Sequence, residues 1–244
     1  MYLSCLLIDV GENPDRPRPG RLWLRNLYRV HQRLCMAFPS ANRVSDDADF
    51  LAPFKPEDFG IGQVKVPRGA NAGFLYRVDP LQDSRVVILV QSAVKPNWEY
   101  AFHNADYLLA APPQTKSLNP SFEREQKFRF RLVANPTRKI KTKSGLDGKR
   151  NNGKRVPVQA DKLEEWLVSR AETAGFLIAG DSITVQPSYI YVNGNRDGEG
   201  KRLFSARYEG ILEVTDAEKF RNAVIRGIGS GKAFGFGLLS LTGM

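Results

Sequence analysis

The sequence predicts an α+β protein built from two successive β-α-β-β-α-β units. Three observations lead to this prediction. Strand patterns alternate with helical patterns along the chain, and the order of elements in the first half recurs in the second. The 244 residues, 42% of them hydrophobic, are also enough to close two cores of roughly 120 residues each. Two such units in tandem correspond to two ferredoxin-like (RRM-like) domains, for which we expect the bounds 1–115 and 121–244.

The first unit is predicted from two helical segments and three strand patterns. Apolar side chains from Arg21 to Phe38 recur at the spacing of a helix, and the β-branched run in 85–91 indicates a buried strand. We expect, in order, a strand over 2–9, a helix over 21–38, strands over 73–79 and 85–91, and a helix over 97–111. Pro- and Gly-containing stretches between these patterns are interpreted as a loop over 11–20, an irregular insertion over 40–72 and a linker over 112–120.

The second unit repeats this order after the linker. Phe128, Phe130 and Leu132 alternate with more polar neighbours, as in a half-buried strand. Thr215 and Glu218 have the spacing of a capping box at the start of a helix. We expect, in order, a strand over 127–134, a helix over 160–175, strands over 182–192 and 203–214, a helix over 215–226 and a last strand over 237–241.

The positive charge of the chain is concentrated in one segment. The net charge is +10, and residues 124–155 alone carry the same surplus, because only Glu125 and Asp147 oppose twelve basic side chains. Such a run can be a solvated loop, but its concentration favours nucleic acid as the partner. A membrane surface is disfavoured, because no strongly amphipathic basic helix accompanies the run. The candidate RNA-binding residues of this segment are Arg138, Lys139, Lys141, Lys143, Lys149, Arg150, Lys154 and Arg155.

Few residues are suited to hold a metal or to form a disulfide framework. The chain has two histidines, His31 and His103, and two cysteines, Cys5 and Cys35, with no C-x-x-C or H-E-x-x-H motif. The acidic cluster at 46–49 lies in a predicted loop. We therefore expect no metal and no other cofactor.

The hydrophobic pattern also bears on localisation. No window approaches the roughly 20 apolar residues that a membrane helix needs. The first nine residues lack the basic start of a signal peptide and are predicted to form a strand. Together with the low cysteine content, this predicts a cytoplasmic protein without a membrane partner.

Tyr28 and His31 are three residues apart and therefore share one face of the first predicted helix. On this pattern alone a packed core histidine is the simpler interpretation, because His31 lies within the apolar stripe. An imidazole beside a basic surface is also suited to take a proton from a ribose 2′-hydroxyl. On the other side of the helix, Arg25 and Arg29 are further candidate RNA-binding residues.

Five glycines lie within eleven residues near the end of the sequence, at Gly227, Gly229, Gly231, Gly235 and Gly237. Successive backbone N–H groups in such a segment can hold a phosphate, and Lys232 is a further candidate contact. The segment is not a Walker A loop, because the glycine spacing differs and no Ser or Thr follows the lysine. A tight helix-to-strand connection explains the glycines equally well, and both interpretations can hold at once.

A series of short motifs extends through the whole chain. It begins with Met1-Tyr2-Leu3-Ser4, Trp23-x-Arg25-x-Leu27-Tyr28-x-x-His31-Gln32-x-Leu34 and Phe38-Pro39. It continues with Leu132-x-Ala134-Asn135-Pro136, Lys154-Arg155-Val156-Pro157, Tyr208-Glu209-Gly210, Gly227-Ile228-Gly229 and Gly237-Leu238-Leu239-Ser240-Leu241. In this order the motifs resemble the CasE-type CRISPR repeat endoribonucleases, whose short members lack the segments 11–20 and 40–72.

The resemblance implies two ferredoxin-like domains and metal-independent cleavage of CRISPR repeat stem-loops in precursor crRNA. In that chemistry the 2′-hydroxyl attacks the adjacent phosphate and leaves a 2′,3′-cyclic phosphate and a 5′-hydroxyl. It implies that His31 is the general acid/base and that Tyr28 helps to place the ribose and phosphate. It also implies that the enzyme stays on the crRNA hairpin with other subunits of the type I-E Cascade complex. The alternative is a non-catalytic RNA-binding subunit of a ribonucleoprotein.

Overall fold

The computed structural model describes residues 1–11, 19–38, 73–81, 85–140, 155–179, 182–192 and 201–244. The chain forms two units. The first consists of Met1–Asn119, Val192–Gly200 and Ala233–Gly235, and the second of Pro120–Tyr191, Lys201–Lys232 and Phe236–Met244. Several predictions fall outside the described residues: those for Lys141, Lys143, Lys149, Arg150 and Lys154, for the insertion over 40–72, and for most of the loop over 11–20.

The first unit contains an antiparallel sheet and three helices among its described residues. In chain order they are β1 (Tyr2–Asp9), α1 (Pro19–Leu24), α2 (Leu27–Cys35), β2 (Phe74–Pro80), β3 (Arg85–Ser92), α3 (Trp98–Phe102) and β4 (Gln114–Ser117). The strand order is β2-β3-β1-β4. Tyr2 pairs with Ser92 on one side and with Ser117 on the other. β1 is therefore a central strand, and its Leu6 and Ile8 are fully buried.

Helix α2 is amphipathic, with Val30 and Leu34 fully buried one turn apart. Asn26 caps its start, since its side-chain oxygen accepts hydrogen bonds from the backbone N–H groups of Tyr28 (3.1 Å) and Arg29 (3.3 Å). This cap separates α2 from α1. The prediction of one continuous helix over 21–38 was therefore wrong, although the face that carries Tyr28 and His31 lies on a single helix.

The segment 112–120, predicted as a linker, contains strand β4. The hydroxyl of Thr115 lies 2.9 Å from that of Ser4 on β1 and accepts a hydrogen bond from the indole of Trp98 at 3.1 Å. Prolines flank this strand and do not interrupt it, so its backbone N–H groups can pair. The helix predicted over 97–111 is shorter than expected, because α3 is followed by a 3₁₀ turn over Asp106–Leu108.

The second unit also combines an antiparallel sheet with helices, which confirms the predicted mixed helix-and-sheet class. Its elements are β5 (Lys127–Ala134), β6 (Thr137–Lys139), β7 (Arg155–Pro157), α4 (Leu163–Thr173), β8 (Phe176–Ile178), β9 (Thr184–Val192), β10 (Lys201–Val214), α5 (Ala217–Arg226) and β11 (Leu239–Gly243). The strand order is β11-β5-β10-β8, β9 also pairs with β10, and β6 pairs with β7 in a separate sheet. The short strands β6, β7 and β8 were not predicted as separate elements.

An aromatic cluster and a helix cap organise this second unit. Fully buried Phe220 on α5 packs against Phe122, Phe128 and Phe176, with ring centroids 4.8 to 6.3 Å apart. Asp216, and not Thr215, caps α5, because its carboxylate accepts a hydrogen bond from the Lys219 backbone at 3.0 Å. The backbone and side-chain hydrogen bonds of Lys219 hold the pKa of Asp216 below its usual range.

Candidate active site and nucleic-acid interface

Helix α2 presents Tyr28 and His31 on one face, as their spacing predicted. The two ring centroids lie 6.4 Å apart with their planes inclined by 40°. Tyr28 is 38% exposed. His31, one turn further along, is half-buried and packs against other aromatic rings. The pair therefore combines a solvent-accessible phenol with a more enclosed imidazole.

Strand β2 supplies the surface on which the His31 ring rests. Phe74 and Tyr76 are two residues apart on this strand, so their side chains point to the same face of the sheet. The His31 ring stacks on Phe74 at 5.3 Å and on Tyr76 at 6.2 Å, with interplanar angles of 29° and 17°. Sequence reasoning did not connect these aromatic residues with His31, although their alternation indicates a common face.

Cys35 lies one helical turn beyond His31. Its Sγ is 3.6 Å from Nε2 of His31, which is within hydrogen-bonding distance for sulfur. Nδ1 of His31 is itself buried. The i, i+4 spacing of the two residues is the signal that could have revealed this contact from the sequence.

Residues 233–235 of the glycine-rich segment belong to the first unit and border the same site. The Phe234 ring packs against Tyr28 at a centroid distance of 6.4 Å. The Tyr76 hydroxyl donates to the carbonyl oxygen of Ala233 at 3.0 Å. A Cβ atom at Gly235, whose φ is +78°, would lie 3.2 Å from the Tyr76 ring, so glycine allows this close approach.

The rest of the glycine-rich segment forms a tight connection within the second unit. All five predicted glycines have positive φ values. The backbone N–H of Ile228 donates to the carbonyl of Gly237 at 2.9 Å, and that of Gly237 donates to Val133 at 2.8 Å. Lys232 is exposed, and its Nζ donates to the carbonyl of Arg226. Contact of this segment with a phosphate stays a prediction.

The candidate RNA-binding residues that the structure describes are all exposed. In the first unit, Arg25 lies in the turn between α1 and α2, and Arg29 lies in the first turn of α2. In the second unit, Arg138 and Lys139 lie on β6 and Arg155 lies on β7, directly opposite Lys139. The Arg155 guanidinium also donates to the hydroxyl of Thr137 at 3.3 Å.

Two basic residues of the segment 124–155 face carboxylates from a distant part of the chain. Arg131 forms an ion pair with Glu209 at 2.5 Å, and Lys127 forms one with Glu213 at 3.5 Å. Burial alone would raise the pKa of Glu209, but hydrogen bonds from Arg207 and Arg131 outweigh it and hold this pKa below its usual range. The local charge surplus predicted from the sequence is therefore partly offset by β10.

The residues that the structure describes contain neither a cluster of metal ligands nor a membrane-spanning helix. Within them no three His, Cys, Asp or Glu side chains are grouped so that they could hold a metal ion. In the same part of the chain no helix is long and apolar enough to cross a membrane. His103, the second histidine, is exposed in the turn after α3.

Comparison with known proteins places this chain in a family. The family model described as CRISPR associated protein matches residues 1–242. CRISPR-associated endoribonuclease Cse3 of Thermus thermophilus is 35% identical over 179 residues, which cover 68% of this chain and 78% of the relative. CRISPR system Cascade subunit CasE of Escherichia coli is 29% identical over 245 residues, which cover 99% of this chain and 98% of the relative.

The fold agrees with these matches. A solved structure of CRISPR endoribonuclease Cse3 bound to 19 nt RNA superimposes with a TM-score of 0.71 and 27% sequence identity, covering 99% of this chain and 100% of that one. The match extends through both halves of the chain, as the order of the sequence motifs predicted. The chain therefore belongs to the CRISPR-associated protein family that includes Cse3 and CasE.

Proposed function

We propose that this chain is a metal-independent endoribonuclease that cleaves CRISPR repeat stem-loops in precursor crRNA and remains bound to the product hairpin. The single observation that carries the proposal is the Tyr28–His31 pair, presented on one face of a capped helix in a member of this family. The T. thermophilus relative is named an endoribonuclease. The E. coli relative is named a Cascade subunit, which supports the other Cascade subunits as partners.

The proposed reaction needs only proton transfer and positioning. The 2′-oxygen forms a bond to the adjacent phosphorus while the bond from phosphorus to the 5′-oxygen breaks. His31 accepts the proton of the 2′-hydroxyl as general base and then, as the imidazolium, gives a proton to the departing 5′-oxygen. Because Nδ1 is buried, we assign the transfer to Nε2, whose neighbour in the structure is Sγ of Cys35 at 3.6 Å. The exposed Tyr28 hydroxyl then orients the ribose and phosphate next to it.

We also infer that each unit is a ferredoxin-like domain. The first four strands in sequence lie in the order 2-3-1-4 across the sheet, and the antiparallel order β11-β5-β10-β8 is the corresponding 4-1-3-2 arrangement in the second half. Both orders support the tandem βαββαβ interpretation. The domain bounds 1–115 and 121–244 remain our proposal, with the end of the first extended by β4 through Ser117.

The stem of the RNA is proposed to contact the paired strands β6 and β7 and the basic residues between them in sequence. An A-form stem exposes its phosphates and has a deep, narrow major groove, so a narrow basic hairpin suits it better than a helix does. Arg138, Lys139 and Arg155 are exposed on these strands. Arg25 and Arg29, which are exposed around the start of α2, are proposed to contact RNA as well.

Removing the β6–β7 charges should weaken the salt dependence of RNA binding. In a variant with Arg138, Lys139 and Arg155 changed to alanine, each lost phosphate contact should reduce the slope of log K against log salt by about 0.7 to 0.9. A control triple that changes exposed Lys162, Lys219 and Arg221 to alanine removes the same charge from the second unit. Equal slopes for the two triples would show that β6–β7 is not the RNA contact.

Cleavage should survive excess EDTA and yield a 2′,3′-cyclic phosphate and a 5′-hydroxyl. The assay uses end-labelled repeat hairpin RNA, with the repeat identified from RNA that copurifies with the protein. Cleavage should not need a metal, because the proposed proton transfer uses an imidazole and no metal-bound hydroxide. An absolute requirement for Mg²⁺, or a product with a 5′-phosphate, would exclude this chemistry.

One observation favours a second candidate, a non-catalytic RNA-binding subunit. The His31 ring stacks on two aromatic rings and its Nδ1 is buried, as for a histidine that serves the core. The two candidates differ in what His31 substitution changes. A core histidine affects the melting temperature, whereas a catalytic histidine affects the cleavage rate.

A further inference from the structure

Tyr76 carries a buried hydroxyl that contacts two separate parts of the chain. The residue is fully buried on β2. Its hydroxyl lies 2.9 Å from the carbonyl oxygen of Leu27 and 3.0 Å from that of Ala233, and can donate to either. A phenylalanine would fill the same space without a polar group to satisfy, and burying a hydroxyl is unfavourable unless it is hydrogen-bonded. The hydroxyl therefore specifies where these two backbone segments lie.

Both acceptors directly precede a residue of the candidate active site. Leu27 is the first residue of α2 and precedes Tyr28. In a regular helix its carbonyl also accepts the backbone N–H of residue 31, four positions later. Ala233 precedes Phe234, whose ring packs against Tyr28. The hydroxyl thus contacts the backbone just before Tyr28 and the backbone just before Phe234, whose ring packs against Tyr28.

The Tyr76 ring contributes to the same arrangement. One of its neighbours is the His31 ring, stacked at 6.2 Å with an interplanar angle of 17°. Another is Gly235, where a Cβ atom would lie 3.2 Å from the ring. Burial raises the pKa of Tyr76, and nearby Cys35 raises it further, so the hydroxyl remains a neutral donor throughout the working pH range.

We propose that Tyr76 is a positioning residue, which fixes the first turn of α2 against residues 233–235 and thereby sets the orientation of the Tyr28–His31 pair. It does not touch the reacting atoms. This inference rests on the proposed catalytic role of that pair, and it adds a residue that none of the sequence motifs includes.

The second unit contains a matched control. Tyr208 on β10 is also fully buried, and its hydroxyl donates at 3.2 Å to the carbonyl of Leu163, the first residue of α4. The Trp166 ring stacks on it at 5.9 Å, as His31 does on Tyr76. Burial raises the pKa of Tyr208 as well. This hydroxyl fixes a helix start that carries no predicted catalytic residue.

The test compares Tyr76→Phe with Tyr208→Phe, which remove equivalent hydroxyls. Below the melting transition of both variants, Tyr76→Phe should lower the single-turnover cleavage rate about tenfold at saturating RNA with an unchanged Kd. Tyr208→Phe should leave the rate within about twofold of the native value. In a His31→Ala background, Tyr76→Phe should cause little further loss, because it acts through that pair. A native rate for Tyr76→Phe, or equal losses in both variants, overturns the proposal.

A second readout does not depend on cleavage. The chain has only two histidines, so selective ¹⁵N labelling of histidine gives separate ring resonances for His31 and for exposed His103. Tyr76→Phe should shift the His31 resonances and leave those of His103 in place, and Tyr208→Phe should move neither. Unchanged His31 resonances in Tyr76→Phe would contradict the positioning role. A native cleavage rate in His31→Ala would instead contradict the proposed function. The ¹⁵N resonances would still show whether Tyr76 positions the His31 ring, so the two failures can be told apart.

Discussion

Replacing His31 with alanine is expected to lower the single-turnover cleavage rate by about 10² or more, the usual scale for losing an acid/base group. The Kd for the RNA hairpin should stay near its native value, because His31 is one half-buried side chain and the affinity should come mainly from phosphate contacts elsewhere. Single-turnover conditions are required, since slow product release would otherwise conceal the chemical step. The pH dependence of the native rate near neutrality should also disappear in the variant.

Two further variants make this result specific. Tyr28→Phe should lose less activity than His31→Ala, because the ring can still pack against His31 and Phe234 and only the hydroxyl is absent. His103→Ala removes the other histidine, which is exposed, and should cleave normally. If His31→Ala cleaves at the native rate, its catalytic assignment is wrong. If it cleaves poorly, binds poorly and also melts several degrees lower, the ring serves the core.

A hairpin with a 2′-deoxy nucleotide at the cut site should not be cleaved at all. The proposed nucleophile is the 2′-hydroxyl of that nucleotide, so its removal leaves no group to attack the phosphorus, whereas the phosphates that bind the protein are unchanged. The Kd should therefore remain close to that of the all-RNA hairpin. The measurement is a long incubation under single-turnover conditions with a parallel binding titration.

The matched substrate carries the deoxy substitution one nucleotide away from the cut. This hairpin should be cleaved at nearly the native rate, because its nucleophile is intact. Cleavage of the first substrate would instead mean that water or a metal-bound hydroxide attacks the phosphate, and the role of His31 would have to be reassigned.

The sequence predicted only those site residues that lie together on one helix. Tyr28 and His31 lie on one face because helical periodicity places residues three apart together, and this held although Asn26 divides the predicted helix. Phe74, Tyr76 and Phe234 could not be assigned in the same way. They come from β2 and from residues 233–235, and a local pattern does not specify which distant element packs on a helix.

The same limit applies to the charge pattern and to strand β4. Glu209 and Glu213 on β10 pair with Arg131 and Lys127 across the sheet, so residues outside 124–155 offset part of the basic surplus of that segment. The β4 segment was assigned to a linker because prolines surround it. Its pairing with β1 depends on a strand more than 100 residues earlier, which no local rule can identify.

Residues 233–235 belong to the first unit but are synthesised long after most of it. The ribosome completes β1 to β4 by Ser117, so most of this unit can fold while the second half is still being made. The Phe234 ring and the acceptor at Ala233 emerge only more than 100 residues later. A nascent chain that already displays Tyr28 and His31 therefore lacks the backbone that Tyr76 holds beside them. The site that the first unit contains is therefore complete only when nearly the whole chain has been synthesised.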